Sequence, residues 1–305
     1  MKLRQARHED ADAIEAFTAD TWAERDGSDY VPDVFGEWVE TDGERQRTTV
    51  AVDDGRPVGI VQTVHLTDHE AWQQGMRVDP DYRGDGVAMA LTHAGFDWAR
   101  ERGATVARNM VFSWNEQGLG LSRAAGYEPG PEFRWAHPEP DPSAEPSADV
   151  SSDLNAAWGF WQASTARERL DGVGLHNDES WSVAEVSRDV LEHAREEESL
   201  LVLEDGGTTA VTYRIRVYER ETDEGEQTWA EYGAAAWEDR SAAGDLLAAI
   251  SRDAAAVDAD FVRVLVPETT RTVSDVAVNR VDVSDDPDFV MRADLTRPYR
   301  DGPHR

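Results

Sequence analysis

A glycine-rich turn in the first half of the chain has the residue types that bind a phosphate group. The segment reads Val78-Asp79-Pro80-Asp81-Tyr82-Arg83-Gly84-Asp85-Gly86-Val87-Ala88. An apolar strand pattern ends at Val78, and apolar residues recur at helical spacing from Val87 to Arg102. The turn therefore lies at the N-terminus of a helix, where unpaired N–H groups and the helix dipole attract an anion. Because glycine has no Cβ, the backbone can approach a phosphate closely, and the segment predicts a pyrophosphate site.

A second motif follows the next predicted strand. It reads Asn115-Glu116-Gln117-Gly118-Leu119-Gly120-Leu121-Ser122-Arg123-Ala124-Ala125-Gly126-Tyr127 and is similar to the pattern N-x-x-small-x-x-L-Y-x-x-x-G-F/Y. The turn itself, Arg83 to Ala88, fits R/Q-x-x-G-x-G/A. Together the two motifs resemble the GNAT superfamily of N-acetyltransferases. The resemblance covers residues 2–136, including the opening segment LRQARHEDADAI, and implies an α/β (α+β) mixed sheet with an acyl-CoA N-acyltransferase fold.

The resemblance also implies how acetyl-CoA would bind as cosubstrate. The turn 83–88 would hold the pyrophosphate, and the strand ending at Val78 would pair with the pantetheine arm through its backbone. N–H groups near Met76 and Val78 would be available to the thioester carbonyl, and the side chain of Asn115 would contact the cofactor beyond a splay between strands. The cofactor-binding residues predicted in this way are Met76, Val78, Arg83, Gly84, Asp85, Gly86, Val87, Ala88 and Asn115.

The residues that would move protons depart from the family pattern. Ser122 stands where many members have a tyrosine that protonates the departing thiolate, so Ser122, Tyr127 and water are the candidate donors. Glu70 is the nearest acid on the strand before the turn and is the candidate general base, with His65 and His69 as alternatives. The chain has no cysteine. Direct attack by an amine is therefore the economical mechanism, transferring acetyl to a primary amine of a small molecule or a protein.

Two other functions stay open at this stage. A non-catalytic acyl-CoA-binding or sensing module would keep the phosphate turn and need neither a tyrosine at position 122 nor an acid on the strand. A purely structural duplicated α/β protein would bind no CoA at all. Release of free CoA in the presence of amines distinguishes the enzyme from the binding module, and stabilisation by CoA distinguishes both from the structural protein.

The elements that position these motifs occur twice along the chain. Corresponding strands and helices begin at residues 48 and 200, 57 and 208, 71 and 227, 87 and 241, and 105 and 261. The near-constant offset, between 151 and 156 residues, indicates a duplicated domain and hence tandem GNAT-like folds. We predict a first domain over residues 1–137, a Pro- and Ser-rich linker over 138–152, a second domain over 153–297 and a tail over 298–305.

The second domain lacks the phosphate-binding chemistry. Its strand-to-helix turn reads Trp237-Glu238-Asp239-Arg240-Ser241-Ala242-Ala243-Gly244. Two adjacent acids stand where phosphate would lie, and no G-x-G is present. We therefore predict a degenerate domain without bound CoA, which restricts catalysis to the first half.

The first two predicted helices, Asp10–Trp22 and Asp33–Glu40, each carry a tryptophan. Trp22 and Trp38 either pack in the core or line an aromatic pocket for a cation.

The composition argues against two classes of binding partner. Among 305 residues there are 62 acids and 30 lysines and arginines, for a net charge of −32, and Lys2 is the only lysine. Such a surface repels nucleic acids and anionic membranes and resembles proteins adapted to high salt.

No apolar run reaches the length of a membrane span, and no signal-like apolar segment follows Met1. We therefore expect a cytoplasmic protein. The absence of cysteine excludes disulfides and thiolate metal sites, and we expect no metal. A monomer or a homodimer is compatible with the sequence.

Overall fold

The computed structural model describes residues 1–19, 21, 29–222 and 225–299. The described residues form two compact units. The first comprises residues 1–111 and 115–129 together with the chain from Val290 onward, and the second comprises residues 112–114 and 130–289. None of the described helices is long and apolar enough to cross a membrane.

The strands alternate with helices in both halves of the chain. The strands are β1 Lys2–Gln5, β2 Gln46–Asp53, β3 Arg56–His65, β4 Glu70–Val78, β5 Val106–Phe112, β6 Glu128–His137, β7 Asp149–Ser151, β8 Val173–Leu175, β9 Val183–Glu185, β10 Leu200–Glu204, β11 Thr208–Thr222, β12 Gly225–Ala234, β13 Ala236–Trp237, β14 Phe261–Pro267, β15 Asp282–Val283 and β16 Asp288–Asp294. The helices are α1 Ala11–Thr18, α2 Val31–Thr41, α3 Val87–Glu101, α4 Glu116–Ala125, α5 Leu154–Ala163, α6 Thr165–Arg169, α7 Arg188–Glu196, α8 Arg240–Ala256 and α9 Thr270–Val278. Short 3₁₀ turns cover His8–Asp10 and Pro80–Tyr82.

The first unit is a sheet covered by helices on both faces. Strands β1 to β4 pair antiparallel in chain order, β5 joins β4 in parallel, and β16 lies next to β5. Val50 and Ile60 pack with α1 and α2, whereas their neighbours Ala51 and Val61 pack with α3. Because successive side chains of a strand point to opposite faces, the α1–α2 pair and α3 cover opposite faces of the sheet. Trp22 lies outside the described residues.

The second unit repeats this plan. Its strands follow the order β6-β14-β12-β11-β10-β7, with β12 and β14 parallel and joined by α8. Leu246 and Ile250 of α8 pack against Tyr232 and Val264 of the two parallel strands. The β4–α3–β5 unit thus has its counterpart in β12–α8–β14, and the predicted α/β repeat is confirmed.

The last strand differs from the predicted domain limits. The chain from Val290 onward groups with the first unit, although residues up to 297 were assigned to the second domain. The apolar side chains of Met291, Ala293 and Leu295 enter the core that contains Phe96, and the ring of Tyr299 lies 5.0 Å from that of Phe96. The physical reason is burial, because the first sheet alone leaves the apolar surface beside β5 without this cover.

The predicted linker 138–152 also contains ordered structure. Its final residues form β7, in which Ser151 pairs with Val202 of β10. The whole stretch belongs to the second unit, as do residues 130–137 of the predicted first domain. The predicted tail 298–305 lies outside the described residues from position 300 onward.

Candidate functional site

The two parallel strands of the first unit diverge after a short paired segment. Strands β4 and β5 pair at three positions, the last of which joins Trp72 to Arg108. Beyond that point β4 continues to Val78 and β5 to Phe112 without further pairing between them. The opening lies at the carboxyl ends of parallel strands, next to the turn that begins α3, and its walls are unpaired strand backbone. It provides the predicted splay.

A β-bulge interrupts β4 inside this opening. The pairing of β4 with β3 shifts so that Gly75 and Met76 lie opposite Val61. Gly75 has φ +64°, and a Cβ there would lie 2.5 Å from the ring of Trp38. Glycine is therefore required both by the backbone conformation and by the close approach of α2. A bulge leaves part of the ladder unpaired, so it puts backbone groups near Met76 at the opening.

The glycine turn leaves the N-terminus of α3 uncapped. Gly84 and Gly86 have φ values of +88° and +79°, and nothing lies within 4 Å of where their Cβ atoms would be. Gly86 is the N-cap residue and provides no side-chain hydrogen bond. The first helical bond runs from Ala90 N–H to Gly86 O at 3.0 Å. In the described part of the chain, the N–H groups of Val87, Ala88 and Met89 therefore have no acceptor, and they are free to bind an anion.

The other residues of the turn leave this helix end accessible. Arg83 and Asp85 are exposed, and Asp85 N–H donates to Tyr82 O at 3.4 Å. Val78, at the end of β4, is half-buried beside the α3 core together with Met76. Both residues therefore offer the opening their backbone rather than a polar side chain.

The corresponding helix of the second unit begins differently. Asp239 is the N-cap of α8, and its carboxylate accepts hydrogen bonds from Ser241 N–H at 2.9 Å and Ala242 N–H at 3.0 Å. This carboxylate occupies the donors that an anion would need and adds a negative charge at the same point. The parallel pair β12–β14 also holds together longer, over five positions up to Ala234 and Leu265.

Asn115 caps the helix that follows β5. Its Oδ1 accepts a hydrogen bond from Gly118 N–H at 2.9 Å. A Cβ on Gly118 would lie 2.6 Å from Asn115 Nδ2, so glycine makes room for the capping amide. Asn115 lies at the same edge of the sheet as the glycine turn, since β4 and β5 are parallel. Its capping role uses the oxygen, and among the described residues the Nδ2 group has no acceptor.

Ser122 is held by a residue that the sequence did not single out. The Ser122 side chain is buried, and its Oγ accepts a hydrogen bond from Asn109 Nδ2 at 3.1 Å. Asn109 follows the last β4–β5 pair and therefore lies where the strands begin to diverge. Tyr127 is buried in the core and donates to Gln73 Oε1 at 2.9 Å. Burial raises the pKa of the Tyr127 hydroxyl well above its usual value, which makes this tyrosine a poor proton donor.

Glu70 lies at the closed end of the β4–β5 pair, away from the bulge. Its side chain is 1% exposed, forms an ion pair with Arg108 and accepts a hydrogen bond from Thr67 Oγ1 at 3.1 Å. This is the environment of a structural ion pair, which holds the carboxylate away from an incoming amine. His65 and His69 flank the β3–β4 turn at the same end, and burial lowers the pKa of His65.

Amide side chains occupy the stretch of β4 nearest the bulge. Gln74 Oε1 accepts a hydrogen bond from Trp72 Nε1 at 3.1 Å, and Gln74 Nε2 donates to Gln62 Oε1 at 2.7 Å. On the other side of the bulge, Arg77 forms a bidentate pair with Asp29, with N–O distances of 2.6 and 3.0 Å. Asn109 and Ser122 are thus in contact where β4 and β5 begin to diverge, and Glu70 lies at the paired end of the two strands.

Comparison with known proteins supports the resemblance. Residues 11–127 match the model of the family described as "Acetyltransferase (GNAT) family". This part of the chain is therefore a GNAT acetyltransferase domain, as the two motifs predicted. The comparison with curated proteins found no match. Within the described residues no group of histidine and carboxylate side chains is arranged to hold a metal ion.

Solved structures extend the likeness over both units. A GCN5-related N-acetyltransferase from Sphaerobacter thermophilus is 18% identical, with a TM-score of 0.60 over 97% of this chain and 96% of that one. A GCN5-related glucosamine N-acetyltransferase region of a fungal multi-domain GH3 β-N-acetylglucosaminidase is 15% identical, with a TM-score of 0.63 over 95% of this chain and 38% of that one. At these identities the likeness concerns the fold, and it confirms tandem GNAT-like folds.

Proposed function

We propose that the chain is an acetyl-CoA-dependent N-acetyltransferase whose first unit carries the reaction. The acceptor is a primary amine of a small molecule or a protein. The observation that carries this proposal is the uncapped N-terminus of α3 beside the β4–β5 opening. The second unit has the same topology, yet Asp239 closes the equivalent helix end, and we infer that this unit binds no CoA.

The groups around the opening fit the cofactor. Three unpaired N–H groups at the start of α3 would donate to the pyrophosphate, and hydrogen bonds to charged acceptors are the stronger kind. Gly84 and Gly86 leave open space for the phosphates to approach. The free edge of β4 from Gln73 to Val78 would pair with the amides of the pantetheine arm in the way that a further strand would.

When bound, acetyl-CoA supplies an activated acetyl group that an amine takes with release of the thiol. The chain would contribute backbone N–H groups at the bulge near Met76, which stabilise negative charge on the carbonyl oxygen. Ser122 accepts its hydrogen bond from Asn109, so its hydroxyl would be able to pass a proton to the leaving thiolate while taking a replacement proton from water. Because Glu70 is held by Arg108, the proton of the amine would leave to water rather than to this carboxylate.

The alternative is a non-catalytic acyl-CoA-binding module. The engaged carboxylate of Glu70 and the amides near the bulge favour it, because no described side chain next to the opening is an obvious base. Binding and turnover therefore have to be measured separately.

Two measurements test the proposal. The melting temperature of the full chain is recorded with and without CoA and acetyl-CoA, at low and molar KCl, since the net charge of −32 makes stability depend on salt. Release of free CoA is then followed with a panel of small amines and lysine peptides. Stabilisation with turnover supports the enzyme. Stabilisation without turnover on any amine supports the binding module, and no stabilisation by CoA excludes both.

A further inference from the structure

The second unit contains a small cavity that the CoA proposal does not use. Its volume is about 140 Å³, well below the roughly 300–1,000 Å³ of pockets that take drug-sized ligands or cofactors. The cavity lies beside the carboxyl ends of β12 and β14, where Ala235 and Pro267 follow or end the parallel strands. The polar and aromatic side chains that line it are Thr165, Arg169, Trp237, Thr269, Arg271 and Thr272. We call it the α6–α9 pocket.

The charge of the α6–α9 pocket is opposite to that of the chain. The chain has 62 acids against 30 lysines and arginines, yet the residues that line this pocket include two arginines and no carboxylate. A positively charged concavity on a strongly negative protein concentrates small anions against the surrounding field. Both arginines are exposed and are therefore accessible to an anion at the mouth of the pocket.

One of the two guanidinium groups has no partner. Arg271 is fixed at the rim, where it donates to Glu238 O, and its Nε lies 3.8 Å from Asp275 Oδ2. Within the described residues Arg169, at the end of α6, forms neither an ion pair nor a hydrogen bond. One positive charge at the pocket is thus partly balanced by a carboxylate, and the other is available.

The hydroxyl groups also leave one hydrogen unused. Thr269 Oγ1 accepts a hydrogen bond from Thr272 N–H at 3.0 Å, and the two threonine hydroxyls lie 2.8 Å apart. Only one of the two hydroxyl hydrogens can lie between them. The other has no acceptor among the described residues and remains available to a ligand inside the pocket.

We propose that the α6–α9 pocket binds a small oxyanion, either inorganic phosphate or the phosphate or carboxylate group of a small metabolite. The planar guanidinium of Arg169 suits two oxygens of such a group. The leftover threonine hydroxyl donates a further bond, while Trp237, Pro267 and two alanines form the apolar wall. The lining residues share none with the turn 83–88, so this site is distinct from the proposed CoA site.

The test is titration of inorganic phosphate, glycerol phosphate and acetate into the full chain by calorimetry, at an ionic strength held constant with KCl. Arg169→Gln should weaken phosphate binding about tenfold, the scale of one charge-assisted hydrogen bond. The control is Arg252→Gln, which changes an exposed arginine of α8 outside the pocket and should leave phosphate affinity unchanged. Thr165→Glu, which places a carboxylate at the pocket, should abolish binding. The three ligands distinguish free phosphate from an esterified phosphate and from a carboxylate.

Because the turn 83–88 would also attract phosphate, the titration is repeated on Ala88→Glu. The α6–α9 site should keep its wild-type phosphate affinity in that variant, whereas Arg169→Gln should show the tenfold loss and keep the wild-type affinity for CoA. The proposal is overturned if phosphate adds nothing beyond KCl, if Arg169→Gln binds phosphate as tightly as the wild type, or if both arginine variants lose the same amount. It is also overturned if phosphate binding disappears in Ala88→Glu alone.

Discussion

A glutamate at the second position of α3 should separate CoA binding from folding. Gly86 is the N-cap of this helix, so Ala88→Glu puts a carboxylate in its first turn. Acids in the first turn stabilise a helix by about 0.3–1 kcal/mol, and Ala88 is only partly buried. The variant should therefore fold with an unchanged or slightly higher melting temperature, while the helix end loses its attraction for phosphate.

The expected loss of affinity follows from Coulomb's law. Two unit charges about 4 Å apart near a protein surface interact by about 4 kcal/mol. Solvent and salt screen the exposed turn, so we take about half of that value, roughly 2 kcal/mol, which corresponds to a rise in Kd of about 30-fold. In molar KCl the Debye length falls to about 3 Å, and the effect should shrink accordingly.

The second unit provides the matched control. Ser241 is the second residue of α8 after the N-cap Asp239 and is exposed, so Ser241→Glu introduces the same carboxylate at the equivalent helix position. Titration calorimetry with CoA at fixed salt should show the loss in Ala88→Glu and wild-type affinity in Ser241→Glu. A folded Ala88→Glu protein with wild-type affinity, or an equal loss in both variants, would refute the assignment of the phosphate site to α3.

Three further changes test individual contacts. Glu70→Gln should leave the half-buried Arg108 without its charged partner and destabilise the fold by up to about 3 kcal/mol in urea denaturation; a fall in kcat at unchanged stability would instead indicate a general base. Gly75→Ala should lower the melting temperature sharply because its Cβ would lie 2.5 Å from the α2 tryptophan, whereas Gly36→Ala, in open space on the same helix, should stabilise the protein by up to about 1 kcal/mol. Burial raises the pKa of Asp288 to about 6, above its unfolded value of 3.8, so the wild type should lose stability as pH rises from 3.8 to 6. Asp288→Asn should not show that loss and should be more stable at pH 7 by up to ~3 kcal/mol, and equal stability of the two proteins at pH 4 and pH 7 would contradict the shift.

The sequence motifs could be recognised because each is formed by residues that are close together in the chain. The turn 83–88 combines glycines, which adopt positive φ, with apolar residues at helical spacing, and both signals lie within a few residues of the site. The order of the repeated elements was readable for the same reason. β16 was not among the predicted elements, and alternation along a strand does not say which sheet it joins.

Contacts between distant residues were not readable. The ion pair of Glu70 with Arg108 and the hydrogen bond of Asn109 to Ser122 each depend on how strands and helices pack. A single sequence gives no register between strands, so Glu70 looked like a free acid beside the turn. The pattern of Val183–Arg195 predicts one helix, yet its first three residues pair as β9 with β8, because tertiary pairing outweighs a short helical pattern.

Because the last strand belongs to the first unit, the two units cannot complete their folding in the order in which they are translated. The second unit is nearly continuous in the chain, whereas the first needs Met291, Ala293 and Leu295 to complete the core around Phe96. A nascent chain that stops before Val290 already contains the glycine turn, the motif Asn115–Tyr127 and nearly all of the second unit. The core beneath α3 is still incomplete in such a chain, because the residues of β16 are missing. The acetyltransferase domain would thus be the first part translated and the last part to fold, and a chain that ends before Val290 would lack the residues that complete its core.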